Sequence, residues 1–289
     1  MNTIDIGLIV NVNWKGNYMS DYHKKQHGQA GFTLVELSIV IVIIGFLISG
    51  IVAANSMIRQ AELRSVMSDF RTYATAYNNF IGKYNAVPGD WNAASSIWSA
   101  ECSGAQCNGN NNGLIEYINN PTTNEVNKAF RVLGLSGFVN GNYVYNAFPG
   151  NGALGTVSVV GITCPASKID GAGYVMTSNA GDPMFAPPAR PLNFAANKNF
   201  LLLGRENGTV SGRILATGAL NAADAHNLDS KIDDGSINAA GAFVGARTGI
   251  LMATTSPNAF TNNDCVNSTT DAYNTAESSS ACMIGFALN

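Results

Sequence analysis

The chain has 289 residues, a formal net charge of −3 at pH 7 and only 12% charged residues, about half the charged fraction of an average soluble domain. This slight acidic excess gives no indication of nucleic-acid binding. Glycine is abundant, with 30 residues, and Asn, Ser and Thr are frequent, which is typical of a loop-rich periplasmic or extracellular domain.

An uninterrupted apolar run extends from Phe32 to Ala54, and its only charged residue is Glu36. The run is long enough to span a bilayer as a helix, which needs about 20 residues. A carboxylate costs on the order of 3 kcal/mol near the membrane centre and less toward its edge. A single-pass anchor with a tolerated acid is the simplest interpretation. A secretory signal peptide is disfavoured because its small cleavage-site residue follows the apolar core, whereas Gly31 precedes it.

The residues Gly31-Phe32-Thr33-Leu34-Val35-Glu36 resemble the processing site of type IV pilins and type II secretion pseudopilins. The resemblance implies that a prepilin peptidase cuts between Gly31 and Phe32 and methylates the new amine of Phe32. It also implies that Glu36 lies near the N-terminal ammonium of a neighbouring subunit in a filament. Two unit charges about 4 Å apart gain roughly 4 kcal/mol at an effective dielectric of about 20. Glu36 is then costly in the dispersed monomer and compensated in the polymer.

Residues 1–31 are interpreted as a cytoplasmic prepilin leader. Met19 is the expected true start, with a longer leader as the alternative. Lys24 and Lys25 favour a cytoplasmic N-terminus, but basic residues on the other flank of the apolar run nearly balance them. The orientation of the anchor therefore depends mainly on the family resemblance.

Helical periodicity continues beyond Ala54. Apolar residues recur at intervals of three and four through residues 55–84, which predicts a helix with one buried stripe. A single helix is therefore expected from Phe32 to Tyr84, with segment 32–54 in the membrane or filament core and segment 55–84 packed on a head. Pro88 and Gly89 indicate where the helix ends.

Residues 85–289 are predicted to form one globular, pilin-like head. Short β-prone runs alternate with Gly and Asn, which favours an antiparallel sheet. The predicted fold class is α+β: a long N-terminal helix against an antiparallel β-sheet, with a loop-rich C-terminal region. The β-prone runs are residues 143–145, 156–160, 200–203, 243–244 and 283–286.

Two short helices are predicted within the head. Thr123 or Asn124 is expected to cap a helix that continues to Leu133. Asn221 is expected to cap a helix from Ala222 to Ile232.

Acidic residues at the end of the second helix suggest a calcium site formed by Asp229, Asp233 and Asp234, because calcium takes carboxylate and carbonyl oxygens. The alternative is a solvated helix end, although acids there oppose the helix dipole. Residues 108–115 have the outline of a calcium loop, but Asn replaces every acid, and turn formation explains them better. No cofactor is required by the predicted function, and calcium is the candidate ion.

The chain has five cysteines and no Cys-x-x-Cys pair, which disfavours zinc. Pilins often close a C-terminal loop with a disulfide, and the resemblance implies such a bond between Cys265 and Cys282. Cys102 is a candidate partner for Cys107, which leaves Cys164 buried and free. Connectivity is not readable from sequence, so both pairings are hypotheses.

No catalytic motif supports an enzyme. His226 is the only histidine after Gly31, too few for a His-based metal site, and no G-x-S-x-G sequence is present. His226 is expected on the surface of the short helix. The predicted function is therefore structural.

The resemblance implies a pilin or minor pilin of a type IV pilus-like filament. The protein is expected in the bacterial inner membrane with a cytoplasmic N-terminus, and later in a periplasmic or cell-surface filament. The implied partners are prepilin peptidase, other pilin subunits, and an inner-membrane assembly platform with its ATPase. A pseudopilin of a type II secretion system is one alternative, although the large head and paired C-terminal cysteines favour a pilus. A membrane-anchored binding or adhesion protein that does not polymerise is another.

Overall fold

A computed structural model gives the fold of the chain. The chain divides into two compact units, one ending at Ala53 and the other beginning at Ala54. The described residues are 32–118, 120, 123–145, 158–178, 198–206, 215, 217–232, 250–255, 264–267 and 272–288.

One long helix, α1, extends over Leu34–Tyr84. Residues 32–58 are all exposed, whereas from Leu63 onward one stripe of α1 is buried at the predicted helical spacing. The expected helix from Phe32 to Tyr84 is thus confirmed but for its first two residues. Asn85 ends the helix with a positive φ of 50°, a conformation that Asn tolerates better than most residues. The buried residues of α1 are Leu63, Val66, Phe70, Ala76, Tyr77 and Phe80.

Four further helices are present in the described part of the chain. Helices α2, Ala94–Ile97, and α3, Gly104–Cys107, are single turns. Helix α4 extends over Val126–Leu135 and helix α5 over Ala222–Ile232.

The predicted caps of α4 are wrong, and that of α5 is right. The residue at the α4 N-cap position is Glu125, not Thr123 or Asn124, and it makes no side-chain cap bond. Its carboxylate instead accepts hydrogen bonds from a neighbouring loop. In α5 the Asn221 side chain accepts a hydrogen bond from the backbone N–H of Asp224 at 2.8 Å, as a helix N-cap does.

The described strands form one antiparallel sheet in the order β1-β2-β4-β3. The strands are β1, Ala172–Ser178; β2, Asn199–Arg205; β3, Leu251–Thr255; and β4, Cys282–Ala287. The mixed α and β content and the antiparallel pairing confirm the predicted fold class. Every residue of β1 is buried. This strand therefore lacks the alternation of buried and exposed residues that is typical of a sheet with one solvent-exposed face.

Two of the predicted strands are correct, and others are not. The runs 200–203 and 283–286 lie within β2 and β4. Residues 143–145 form no strand; Val144 only donates a backbone hydrogen bond to Ile162. Within 158–160, only Val160 forms an isolated bridge, to Cys164. Residues 156–157 and 243–244 lie outside the described residues.

Aromatic contacts join α1 to the sheet. The buried ring of Phe70 stacks on Phe286 of β4 with centroids 5.4 Å apart and meets Tyr174 of β1 edge-on at 5.7 Å. The Tyr174 hydroxyl donates a hydrogen bond to Asp69 at 2.9 Å. Together these contacts fix the register of α1 on the sheet, because aromatic pairs favour specific geometries.

Disulfides join Cys102 to Cys107 and Cys265 to Cys282, while Cys164 is free and buried. The Cys102–Cys107 bond closes a short loop around α3, with a sequence separation of 5. The other bond has a separation of 17 and ends at Cys282, the first residue of β4. It therefore ties the connection between β3 and β4 to the sheet.

Candidate functional site

The predicted cleavage site lies just before α1. Gly31 and Met19 fall outside the described residues, so the structure bears on neither. Phe32 is 88% exposed and precedes Thr33, the N-cap position of α1.

Thr33 and Glu36 form a capping box. The Glu36 Oε2 atom accepts hydrogen bonds from the Thr33 backbone N–H at 2.9 Å and from the Thr33 hydroxyl at 2.8 Å. In return, the Thr33 hydroxyl oxygen accepts one from the Glu36 backbone N–H at 3.2 Å. A carboxylate in the first turn also interacts favourably with the helix dipole. Glu36 therefore has a partner within its own chain.

Sequence reasoning did not find Thr33. The signal was present, because a Thr followed three residues later by Glu, just before an apolar run, is the sequence pattern of a capping box. The expectation that Glu36 is uncompensated in the monomer is modified accordingly. One carboxylate oxygen is held locally, and Oε1 accepts no hydrogen bond from any residue that the structure describes.

The other polar side chains of segment 32–54 are satisfied by the helix itself. The Ser38 hydroxyl donates to the Val35 carbonyl at 2.8 Å, and the Ser49 hydroxyl donates to the Phe46 carbonyl at 3.0 Å. In hydrocarbon such internal bonds remove the cost of an unpaired hydroxyl. The Oε1 atom of Glu36 is thus the side-chain polar group of this segment that is left open to an outside partner.

The remainder of segment 32–54 is an apolar surface. Helix α1 is long and apolar enough to cross a membrane, by length and composition, and its apolar window is not buried in the protein. Gly45 and Gly50 have open space where a side chain would lie. Surfaces this large and apolar mark contacts with a membrane or with other protein helices, and small residues let such helices approach closely.

Of the three predicted calcium residues, the structure describes Asp229. Asp229 is buried, and its Oδ2 atom accepts a hydrogen bond from the Tyr273 hydroxyl at 3.0 Å. Asp233 and Asp234 lie outside the described residues. Within those residues, no group of three His, Cys, Asp or Glu side chains is placed to hold a metal ion. The calcium site remains a prediction.

The asparagine-rich loop, residues 108–116, is held by acidic side chains that sequence reasoning did not connect with it. The Asp90 carboxylate accepts hydrogen bonds from the backbone N–H groups of Asn112 and Gly113. The Glu125 carboxylate accepts them from Asn110 at 2.9 Å and from Glu116 at 3.0 Å. Both carboxylates are 1% exposed. Backbone amides thus provide hydrogen bonds to two buried carboxyl groups.

A buried cation lies beside this loop. Lys128 is 1% exposed, and its Nζ donates a hydrogen bond to the Asn108 carbonyl oxygen at 2.7 Å. Burial lowers the pKa of Lys128 to about 8, an effect that the charge of Glu125 opposes. This arrangement organises the loop within the head, so its evident role is structural.

His226 belongs to helix α5. Its ring packs against Tyr273, with ring centroids 5.4 Å apart, and burial lowers its pKa. The residue is half-buried rather than on the surface as expected. Its setting within α5 is that of a packing residue.

Comparison with known proteins identifies the N-terminal region. A family model described as the prokaryotic N-terminal methylation motif matches residues 26–52. The comparisons with curated proteins and with solved structures give no match. The matched segment contains Gly31, Phe32 and the Thr33–Glu36 capping box. The chain therefore carries the N-terminal methylation signature of type IV pilins and pseudopilins.

Proposed function

We propose that the protein is a pilin or minor pilin of a type IV pilus-like filament, cleaved after Gly31 and N-methylated at Phe32. The observation that carries the proposal is the hydrogen bonding of the Glu36 carboxylate at the start of an exposed apolar helix. Its Oε2 atom is held by Thr33 at 2.8 and 2.9 Å. Oε1 is left to accept a hydrogen bond from the N-terminal ammonium of a neighbouring subunit.

Thr33 has a positioning role in this proposal. In the membrane-held monomer, the capping box keeps the carboxylate at the helix terminus and partly offsets the cost of its charge. On assembly, the same geometry presents Oε1 to the incoming ammonium without a search through side-chain rotamers. Charge-assisted hydrogen bonds are the stronger ones, so the contact favours polymerisation and helps to set the stagger between subunits.

The implied partners follow from this sequence of events. A prepilin peptidase removes the leader, and an inner-membrane platform with its ATPase extracts the anchored subunit into the filament. Before assembly the protein is held in the inner membrane with its N-terminus in the cytoplasm. The large head and the Cys265–Cys282 disulfide support a pilus subunit over a secretion pseudopilin.

The first experiment determines the N-terminus of the membrane-extracted protein in cells with and without active prepilin peptidase. We expect N-methylated Phe32 only when the peptidase is active. Gly31→Leu should block cleavage, whereas Gly28→Leu is the matched control in the leader and should not. A full leader on the wild-type chain in the presence of active peptidase would reject the proposal in favour of a single-pass anchor.

The second experiment separates a polymer from an anchor. Glu36→Leu should leave membrane insertion and cleavage intact and abolish filaments visible by electron microscopy. Ser38→Ala is the matched control, because the Ser38 hydroxyl bonds only to its own helix, and it should assemble normally. Normal filaments from Glu36→Leu would remove the main support for the proposal.

A further inference from the structure

Three Asn-Gly pairs lie within the described residues, and the structure holds them differently. They are Asn108–Gly109, Asn112–Gly113 and Asn140–Gly141. In an Asn-Gly pair the glycine backbone nitrogen readily attacks the preceding side-chain amide, because glycine has no Cβ to obstruct the approach. Two further pairs, at 151–152 and 207–208, lie outside the described residues.

The reaction is an intramolecular deamidation. The glycine nitrogen loses its proton and forms a bond to the asparagine Cγ atom, the side-chain nitrogen leaves as ammonia, and a cyclic succinimide remains. Water then opens the ring at either carbonyl, which gives aspartate or isoaspartate. Such a step depends on bringing the two reacting atoms into contact. It therefore needs a glycine N–H that is not held elsewhere and an asparagine side chain that is able to rotate onto it.

The fold opposes this reaction at Asn112, in the asparagine-rich loop. The Gly113 N–H donates a hydrogen bond to the Asp90 carboxylate at 2.7 Å. The Asn112 side chain is held at both ends, because its Nδ2 donates to Glu116 at 2.8 Å and its Oδ1 accepts from the Leu114 N–H at 2.9 Å. Hydrogen bonds to carboxylates are among the stronger ones. Neither reacting atom is therefore able to approach the other.

The Asn108–Gly109 pair is restrained in the same way. The Gly109 N–H donates to the Trp91 carbonyl at 2.9 Å, and the Asn108 Oδ1 accepts from the Ser95 N–H at 2.8 Å. A Cβ at Gly109 would collide with the Asp90 backbone, so the chain is tightly packed here. This pair is also expected to be protected.

The Asn140–Gly141 pair has neither restraint. Neither the Gly141 N–H nor the Asn140 side chain forms a hydrogen bond with a residue that the structure describes. The Asn140 backbone carbonyl accepts one from the Tyr143 hydroxyl at 3.0 Å, which leaves both reacting atoms unrestrained. Exposure does not separate the pairs, because Asn140 and Gly141 are exposed and so are Asn112 and Gly113. The difference lies in the hydrogen bonds.

We propose that Asn140 is a site of spontaneous deamidation in the folded protein, with water as co-reactant, and that the asparagine-rich loop is protected from the same reaction. The proposal does not depend on the proposed filament. The Gly141 carbonyl packs against Gly134 of α4, where an added Cβ would lie 2.7 Å from it. An isoaspartate lengthens the backbone by a methylene group, so it displaces this contact and the one from Tyr143. Aged subunits thus acquire a negative charge and an altered turn after α4.

The test compares the folded full-length chain in detergent with the same chain unfolded in guanidinium chloride, at one pH and temperature. Incubation in heavy-oxygen water labels the product, and peptide mass spectrometry measures the label at each pair. In the unfolded chain, the three pairs should react at similar rates. On folding, the rate at Asn140 should change by less than about threefold, whereas the rates at Asn108 and Asn112 should fall at least about tenfold, or about 1.4 kcal/mol in the barrier. Protection of Asn140 equal to that of Asn112 would overturn the proposal.

Two variants test the assignment to Asn140. Asn140→Gln should abolish the labelled product in this peptide, because the longer side chain closes its ring much more slowly. Asn142→Gln is the matched control, an exposed asparagine in the same turn that precedes Tyr143 rather than a glycine, and it should leave the product unchanged. Persistence of the product in Asn140→Gln, or its loss in Asn142→Gln, would refute the assignment.

Discussion

Replacing Glu125 with glutamine is expected to change how the stability of the head depends on pH. Burial raises the pKa of Glu125 from 4.5 to about 7, the Asp90 and Glu116 carboxylates add to the rise, and the N–H groups of Glu116 and Asn110 oppose it. At about 1.4 kcal/mol per pKa unit, the shift corresponds to roughly 3 kcal/mol. The side chain is 1% exposed, so little of this is screened by solvent.

The sign follows from proton linkage. The folded chain binds the Glu125 proton more tightly than the unfolded chain does. The free energy of unfolding of the wild-type chain therefore falls as the pH rises from 4.5 to about 7. A glutamine accepts only one of the two backbone N–H bonds, which costs about 1–2 kcal/mol at every pH. The free energy of unfolding of the variant, relative to wild type, should therefore rise by about 3 kcal/mol between pH 4.5 and pH 7.5.

The assay is urea unfolding of the full-length chain in detergent, followed by the fluorescence of the head tryptophans Trp91 and Trp98. Glu101→Gln removes an exposed carboxylate and serves as the control, with no expected change between the two pH values. The range stays below pH 8, where Lys128 titrates. An equal effect of Glu125→Gln at both pH values would refute the reasoning about its burial.

Other predictions concern packing and local constraints, each measured as the free energy of unfolding of the full-length chain in urea. Replacing both cysteines of the Cys265–Cys282 bond, whose sequence separation is 17, should lower the free energy of unfolding by about 3 kcal/mol. Replacing both cysteines of the Cys102–Cys107 bond, whose separation is 5, should lower it by about 2 kcal/mol. A larger loss for the Cys102–Cys107 bond would contradict the loop-entropy argument. Phe70→Ala should cost about 3–5 kcal/mol because the ring is fully buried, and a cost below about 1 kcal/mol would show that the aromatic contacts are misplaced. Asn221→Ala should cost about 1 kcal/mol and Asn221→Ser much less, because serine also caps a helix.

Long periodic segments could be predicted from the sequence because each carries its own signal. Helix α1 follows from its apolar spacing, and α5 has the predicted bounds, Ala222–Ile232, because Asn221 marks its start. Strands β2 and β4 are dense in apolar residues. The cysteine pairs in the structure are also the pairs named from the sequence.

The missed elements lack a local signal. Strand β1 mixes small and polar residues with apolar ones, and all seven of its residues are buried, so neither alternation nor an apolar run marks it. Helices α2 and α3 have four residues each, too few to show a period. Burial by the rest of the fold, rather than intrinsic propensity, decides such segments.

The contacts of the asparagine-rich loop could not be predicted for a different reason. Asp90 and Glu125 lie far apart in sequence, and only the folded chain brings both carboxylates to residues 108–116. The Thr33–Glu36 box, in contrast, was readable from spacing. Local chemistry can thus be inferred from a sequence, whereas a site assembled from distant segments requires the fold.

The strand order has a consequence for biosynthesis. Strand β4 lies between β2 and β3 in the sheet, yet it is translated after both. Among the described strands, β3 pairs only with β4. At about 5–20 residues per second, the ribosome leaves β2 without its neighbour β4 for several seconds. The nascent head therefore exposes an open sheet edge until residues 282–287 emerge, and a chain that stops short of them loses the strand that joins the two sides of its sheet.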